Sequence, residues 1–303
     1  MFTPFEVAYS VITPIFLVVL AGAYLGRRLR LDARTLSNLI IYLFTPCLII
    51  QGISTTSLEG DEIGQIALFV TLISVILAAL ATLLARLFHY ERQTESAFVL
   101  SVFTMNAANY GIPFNEFAFG EAARDRALLY YLSTAVLANT LGIFIISRGN
   151  ASSRQAFLNV FRVPLIYVTV FAFALNATDS RLPLPFERAV ALLGDATIPA
   201  MLLVLGFQLS RSSVRDKLRA VALAVGLRLI LGPLLALGLV MLMGLEGLTR
   251  DVMIVQSGMP TAVMAGVFAV EFRSDPEFAT TVILVSTLAS ILTLSILLSL
   301  LGA

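Results

Sequence analysis

The sequence predicts an all-α integral membrane protein in which ten transmembrane helices form a 5+5 inverted repeat. Three observations carry that prediction. The 303-residue chain is 58% apolar and only 13% charged, with a mean hydropathy of +0.93, whereas soluble proteins are roughly half apolar and a quarter charged. Ten stretches are long and apolar enough to cross a hydrocarbon core of about 30 Å, which takes about 20 helical residues. Two of those stretches, at corresponding places in the two halves, are interrupted by glycine, proline and side-chain amides. A formal charge of +1 and a pI of about 7.9 give no basic field to hold nucleic acid. The long apolar runs also argue against the alternating strands of an outer-membrane barrel.

The first span (6–26) contains FLVVLAGA (16–23), which imitates part of a secretory signal. No Lys or Arg precedes it and Arg27 and Arg28 follow it, so it is expected to be retained. The second span (35–53) carries Pro46 and the single cysteine, Cys47, which reads as a small buried hydrophobe outside any disulfide or metal cluster. The third (64–88) leads into FHYERQ (88–93), where the only histidine, His89, is expected to be structural. The fourth (95–119) holds the interruption MNAANYGIPF (105–114), and Glu116 near its end reads as solvated or capping. The fifth (127–147) completes a first repeat, residues 1–147. A short cytoplasmic linker (148–158) joins it to a second repeat, 159–303, which opens with the sixth span (159–176).

The seventh span (187–208) contains Asp195, an acid near membrane depth and a candidate for proton coupling, and Pro199. The eighth (217–243) contains Arg228, nine residues beyond Arg219 and so roughly 14 Å deeper. An arginine there should face protein or a water-filled cavity. Attraction of an anion or coupling to an acid is its functional reading; a structural ion pair or snorkelling to the surface is its bland one. The ninth span (249–272) carries the second interruption, QSGMPTAVMAG (256–266), with Glu271 near its end, and the tenth is 278–301.

Cytoplasmic loops hold the excess of Lys and Arg. The loops after odd-numbered spans hold Arg27, Arg28, Arg30, Arg34, Arg86, Arg92, Arg148, Arg154, Arg162, Arg211, Arg215, Lys217, Arg219 and Arg273. The opposite side holds only Arg124, Arg126, Arg181, Arg188 and Arg250, several beside acids. This predicts a multi-pass protein of the inner (plasma) membrane with both termini outside and the loop between spans five and six cytoplasmic.

Pro46 and Pro199 lie 153 residues apart, and that offset sets Asn106 opposite Met259. Matching Gly111-Ile112-Pro113 to Gly258-Met259-Pro260 needs 147 instead; the offset of 153 keeps one register through the half. Five spans per half is odd, so the second half enters from the other side. Inverted repeats place broken helices near the midplane, with half-helix termini exposed to ligand. A proline frees backbone groups that protein, water or substrate must satisfy. Asn106 and Asn109 add donors and acceptors beside them, and half-helix N-termini favour an anion without a buried cation. A proline kink glued by asparagines would explain one break; two at symmetric positions favour a site.

The C-terminal stretch LRLILGPLLALGLVMLMGLEGLTRDVMIVQSGMPTAVMAGVFAVEF (227–272) resembles the auxin efflux carrier family, which includes the plant PIN proteins and bacterial relatives. VITPIFLVVLAGAYLGRR, IIYLFTPCLIIQGIS, MNAANYGIPFNEFAFGE and LLGDATIPAMLLVLGFQLS extend the likeness over nearly the whole chain, without the large hydrophilic loop of the long plant members. The resemblance implies a scaffold of helices 1, 2, 6 and 7 and a transport domain of helices 3–5 and 8–10, with helices four and nine crossing and organic anions binding beside the crossover. Asn106 matches the asparagine of the first break; Pro260 and Thr261 lie at the second. Asn109, Gly111, Pro113 and Gly258 would complete the crossover, lined by Gln256 and Ser257. Pro46 and Pro199 would shape the scaffold face and help a homodimer. Plant members have proline before that asparagine; Met105 stands here, which softens the first break and argues against auxin itself as substrate.

The expected function is a secondary carrier of a small organic anion, a carboxylate, working by elevator-like alternating access in the lipid bilayer. No cofactor is implied, and coupling to H+ or Na+ stays open. An enzyme would want paired aspartates, a Ser–His arrangement or HExxH, none of which the sequence supplies. A non-transporting sensor, or a sodium-coupled symporter of the bile acid carrier type, are the alternatives; the latter would demand clustered carboxylates, amides and carbonyls at the crossing.

Overall fold

The structure, a computed structural model, describes residues 6, 8–29, 33–54, 58, 60–138, 164–210, 217–271 and 274–302. The predicted linker 148–158, the end of the fifth predicted span, the start of the sixth, Arg30, Arg148, Arg154, Arg162, Arg211, Arg215, Arg273 and the side chains of Arg34 and Glu271 lie outside the described residues.

A π-helical turn at Ala8–Ile12 leads into α1 (Thr13–Arg28). α2 (Ala33–Leu39) continues through a second π turn, Ile40–Phe44, into α3 (Thr45–Ser54). α4 (Gly60–Leu87) is uninterrupted, and its 28 residues reach roughly 40 Å. After a turn in which His89 takes a left-handed conformation (φ 53°), α5 (Arg92–Phe103) begins. It stops short; residues 104–106 are non-helical, and the chain resumes with a π turn, Ala107–Gly111, and α6 (Ile112–Phe119). Then come α7 (Glu121–Leu137), α8 (Pro164–Ala177), α9 (Leu184–Asp195) and α10 (Thr197–Leu209). α11 (Leu218–Gly226), a π turn at Leu227–Leu231 and α12 (Gly232–Met243) follow. α13 (Gly247–Ser257) is broken from α14 (Met264–Glu271) by residues 258–263, and α15 (Pro276–Leu301) ends the described chain.

The described chain is helical throughout, apart from turns and an isolated β-bridge. Six of its helical runs are long and apolar enough to cross a membrane: Tyr9–Arg28, Thr35–Ser54, Gly60–Leu87, Leu184–Leu209, Leu218–Met243 and Pro276–Leu301. The protein is therefore a multi-pass membrane protein. The fourth and ninth predicted stretches fall on interrupted helices, and the sixth on a shorter apolar helix.

The four π turns named above share one cause. Each ends two residues before a proline: Pro14, Pro46, Pro113 and Pro233. Proline donates no N–H and its ring clashes with the carbonyl four residues back; a widened turn moves that carbonyl aside and lets the helix continue.

Two sets of helices pack internally. α1 lies along α10, and α3 packs on α8 and α9; α4, α5, α6, α7, α12, α13 and α15 form the other set. The α1–α10 crossing is a backbone contact: a Cβ on Gly22 would sit 2.5 Å from the Leu203 carbonyl, and one on Gly206 would overlap the Val19 carbonyl. Such small-residue crossings substitute for the hydrophobic effect, which does not operate between helices in lipid. α10 and the π turn Ala107–Gly111 are among the contacts joining the sets.

Loops that the Lys/Arg distribution assigns to one side meet at one end. Lys217 Nζ reaches Asp275 (2.8 Å) and Thr94 Oγ1 (2.7 Å), and Arg27 Nε donates to Ser210 O (3.1 Å). At the other end Arg126 pairs with Glu62 (2.8 Å) and donates to Thr249 Oγ1 (2.8 Å), and Asn176 Nδ2 donates to Ser54 O (3.2 Å).

Candidate functional site

The two breaks meet. Met105 and Thr261 form an antiparallel bridge, in which the Asn106 N–H donates to Pro260 O (2.8 Å) and the Ala262 N–H to Thr104 O (3.0 Å). Non-helical backbone at membrane depth must find partners within protein, and here each break supplies the other's. Asn106 sits at φ −78°, ψ 57°, with the Ala107 N–H donating to Met105 O (2.8 Å). That is an inverse γ-turn, which carries the chain from extended backbone into the next helix.

Hydroxyl groups fasten the junction. Thr261 donates through Oγ1 to Ser101 O (2.7 Å), and its N–H is accepted by Ser286 Oγ (3.1 Å) on α15. Tyr130 of α7, fully buried, donates to Met105 Sδ (2.8 Å) and lies 3.2 Å from Ser257 Oγ. Gln256 Nε2 donates to Ala107 O (3.3 Å) and Ala127 O (3.4 Å). Gly111 leaves room for it: a Cβ there would overlap Gln256 Oε1, so the amide would have to move. A Cβ on Gly258 would lie 3.0 Å from Leu297 Cδ2.

Arg228 is fully buried, with 0% exposure, and pairs with no carboxylate among the described residues. Its guanidinium donates to Val102 O (Nη1, 2.9 Å), Met259 O (Nε, 3.1 Å) and Ser257 O (Nη2). It is therefore neither an ion pair nor a snorkelling side chain. The sequence marked its depth and not its partners, which come from α5, the end of α13 and the second break.

Three side-chain atoms of the junction, Ser101 Oγ, Gln256 Oε1 and Asn106 Nδ2, have no hydrogen-bond partner, and among them Asn106 is the one at a helix start. It is 4% exposed, its side chain makes no capping bond, and its Nδ2 has no hydrogen-bond partner. A buried donor left unpaired costs about 1–3 kcal/mol, so its retention points to a ligand. It lies at the start of the half-helical segment that follows the first break, where the positive helix end favours negative charge.

The structure brings Asn106, Gly111, Gln256, Ser257, Gly258, Pro260 and Thr261 together and buries them; Pro113 is buried one turn further along α6, and Asn109 is half-buried on the π turn. Pro46 and Pro199 lie on α3 and α10, and Ala200, next to Pro199, belongs to a buried cluster against which Ala108 of the π turn packs. Asp195 accepts from Gln51 Nε2 (3.0 Å). Glu116 faces Arg124 (3.7 Å). Cys47 is free and buried. Sequence reasoning missed Tyr130, Ser101 and Ser286; the only signal was hydroxyls inside otherwise apolar spans. Among the described residues no group of three His, Cys, Asp or Glu could hold a metal. A cavity of about 300 Å3 between α4, α7 and α8, lined by Ile63, Leu129, Leu132, Leu165 and Phe173, is separate from the junction.

A family model described as "membrane transport protein" matches residues 7–156 and again 148–298. An uncharacterized transporter of Methanothermobacter thermautotrophicus is 27% identical over 272 residues, covering 87% of both chains. An uncharacterized transporter of Methanocaldococcus jannaschii is 24% identical over 301 residues, covering 95% of this chain and 96% of that one.

Proposed function

The chain belongs to the membrane transport protein family, the family of auxin efflux-like carriers, and from that premise we propose that it is a secondary carrier of a small organic anion, a carboxylate. The carrier works by alternating access: a transport domain of spans three to five and eight to ten moves against a scaffold of spans one, two, six and seven. Ten spans in two inverted halves are part of this reading. So are a homodimer in the cell membrane and termini on the outer side. The division of the helices into two internally packed sets supports the two domains, and the repeated family match supports the two halves.

One observation carries the substrate class: an enclosed side-chain donor, Asn106 Nδ2, left without a partner at a half-helix N-terminus. Donor and dipole together suit a carboxylate and offer nothing to a cation. Thermal stability of the purified protein, measured across mono- and dicarboxylates, indoleacetate and neutral analogues with Na+ or K+, tests this. A ligand that binds only the folded state raises its apparent stability. At least one carboxylate is expected to stabilise the protein while its neutral analogue does not; a flat response across the panel would remove the anion from the proposal. A shift that appears only in Na+ would favour a sodium-coupled symporter.

A further inference from the structure

A helix C-terminus leaves its last carbonyls unpaired and carries about half a negative charge. α5 and α13 both end inside the protein, and neither ends in the left-handed conformation that usually ties up those carbonyls: Thr104 is extended (φ −90°, ψ 115°) and Gly258 lies at φ −90°, ψ 1°. Arg228 supplies both ends at once, reaching Val102 O at the end of α5, Ser257 O at the end of α13 and Met259 O in the break just beyond it. The charges balance, since one guanidinium faces two half-charged termini. The titratable group beside it is the Tyr130 hydroxyl, which is also bonded at the bridge. Gly232 makes the approach possible: a Cβ there would lie 2.8 Å from Ser257 O and 3.2 Å from Arg228 Nη2.

We infer that Arg228 is a positioning residue: its single guanidinium terminates both first half-helices, locks the two breaks into one unit and so aims Asn106 and the following helix N-termini together, without touching substrate. Its charge is spent on the two helix ends, so the anion is left to Asn106 and the opposite termini. Lysine cannot replace it, because a point-charge ammonium lacks the planar fork that reaches three separated carbonyls. The locking is independent of the ligand; the aiming rests on the proposed anion site.

Hydrogen exchange of the full-length protein tests it in R228K and, should that variant fail to fold, in G232A, which wedges the guanidinium from Ser257 while keeping the charge. Charge-assisted bonds are each worth a factor of ten or more. Amides of residues 104–107 and 258–262 are therefore expected to exchange at least about tenfold faster in R228K, with the centres of α4 and α15 at wild-type rates. In G232A the acceleration should be smaller and confined to 258–262. Wild-type exchange at the breaks in the folded variant, or acceleration spread equally over α4 and α15, would overturn the inference. Benzoate, indoleacetate and succinate give the second readout. A positioning residue weakens all that bind by a common factor, whereas a changed rank order would put Arg228 on the ligand and overturn the claim. If no carboxylate stabilises the wild type, the anion reading fails while the exchange result still decides the lock.

Discussion

Replacing Asn106 by alanine separates binding from folding, because the two effects have opposite signs. In the ligand-free protein the Nδ2 donor is enclosed and unpaired, and the side chain caps nothing. Deleting an unsatisfied buried donor recovers about 1–3 kcal/mol of desolvation, and the small void left behind takes back about 1 kcal/mol. The backbone bond from the Asn106 N–H to Pro260 O does not depend on the side chain. Ligand-free Asn106→Ala is thus expected to melt at or slightly above the wild-type temperature. A carboxylate would lose one charge-assisted hydrogen bond, about 1.5–3 kcal/mol, or roughly 10- to 150-fold in affinity. Differential scanning fluorimetry with and without the best carboxylate, together with calorimetric titration, reads both quantities. Undiminished affinity would take Asn106 out of the site. A ligand-free melt lowered by the equivalent of about 2 kcal/mol or more would make it a structural residue.

Three further outcomes are expected. Gly206→Val should lower stability by about 1–3 kcal/mol or prevent folding, since the α1–α10 backbones leave no room at Val19; a thermal melt at the wild-type temperature would refute the close crossing. Gly111→Ala must push Gln256 off Ala107 O and Ala127 O, and those two weak bonds, about 0.5–1.5 kcal/mol each, outweigh the gain of about 1 kcal/mol in helix propensity, so a more stable variant in the same melt contradicts the packing. Burial tends to raise the Asp275 carboxyl, but hydrogen bonds from Lys217, the Phe278 N–H and Thr94, with the Lys217 charge, hold it below the usual carboxylate value. A lowered native value stabilises above the unfolded pKa of about 3.9 and is lost as pH falls through the native one. Wild-type melting temperature should therefore drop more steeply than that of Asp275→Asn below about pH 4, and parallel curves would show that the pair contributes nothing.

Much of this was readable in the chain because membrane physics narrows the choices. Apolar length marked the helices, and the clusters at 105–114 and 256–266 marked the two places where helix could not continue. The breaks fall at 104–106 and 258–263. Their pairing, Met105 with Thr261, was beyond the sequence, since it depends on how two distant helices are docked. The prolines were visible, yet the π turns before Pro14, Pro46, Pro113 and Pro233 follow from steric relief within the helix and leave no pattern of their own. Arg228 shows the same limit: depth along a span is a one-dimensional property, whereas its three carbonyl partners lie on two other spans. Ser286 and Tyr130 gave no signal of their own, since a serine hydroxyl can also satisfy itself on its own helix and a tyrosine inside an apolar span does not reveal its partner.

Counterflow into proteoliposomes tests the central claim most directly. Vesicles containing the protein and loaded with the stabilising carboxylate are diluted into a trace of the same compound carrying label. Transient uptake of label is expected with wild type, and near-background uptake with Asn106→Ala and with empty vesicles. Label entering wild-type vesicles no faster than empty ones, although the ligand stabilises the protein, would mean that the junction binds an anion without carrying it.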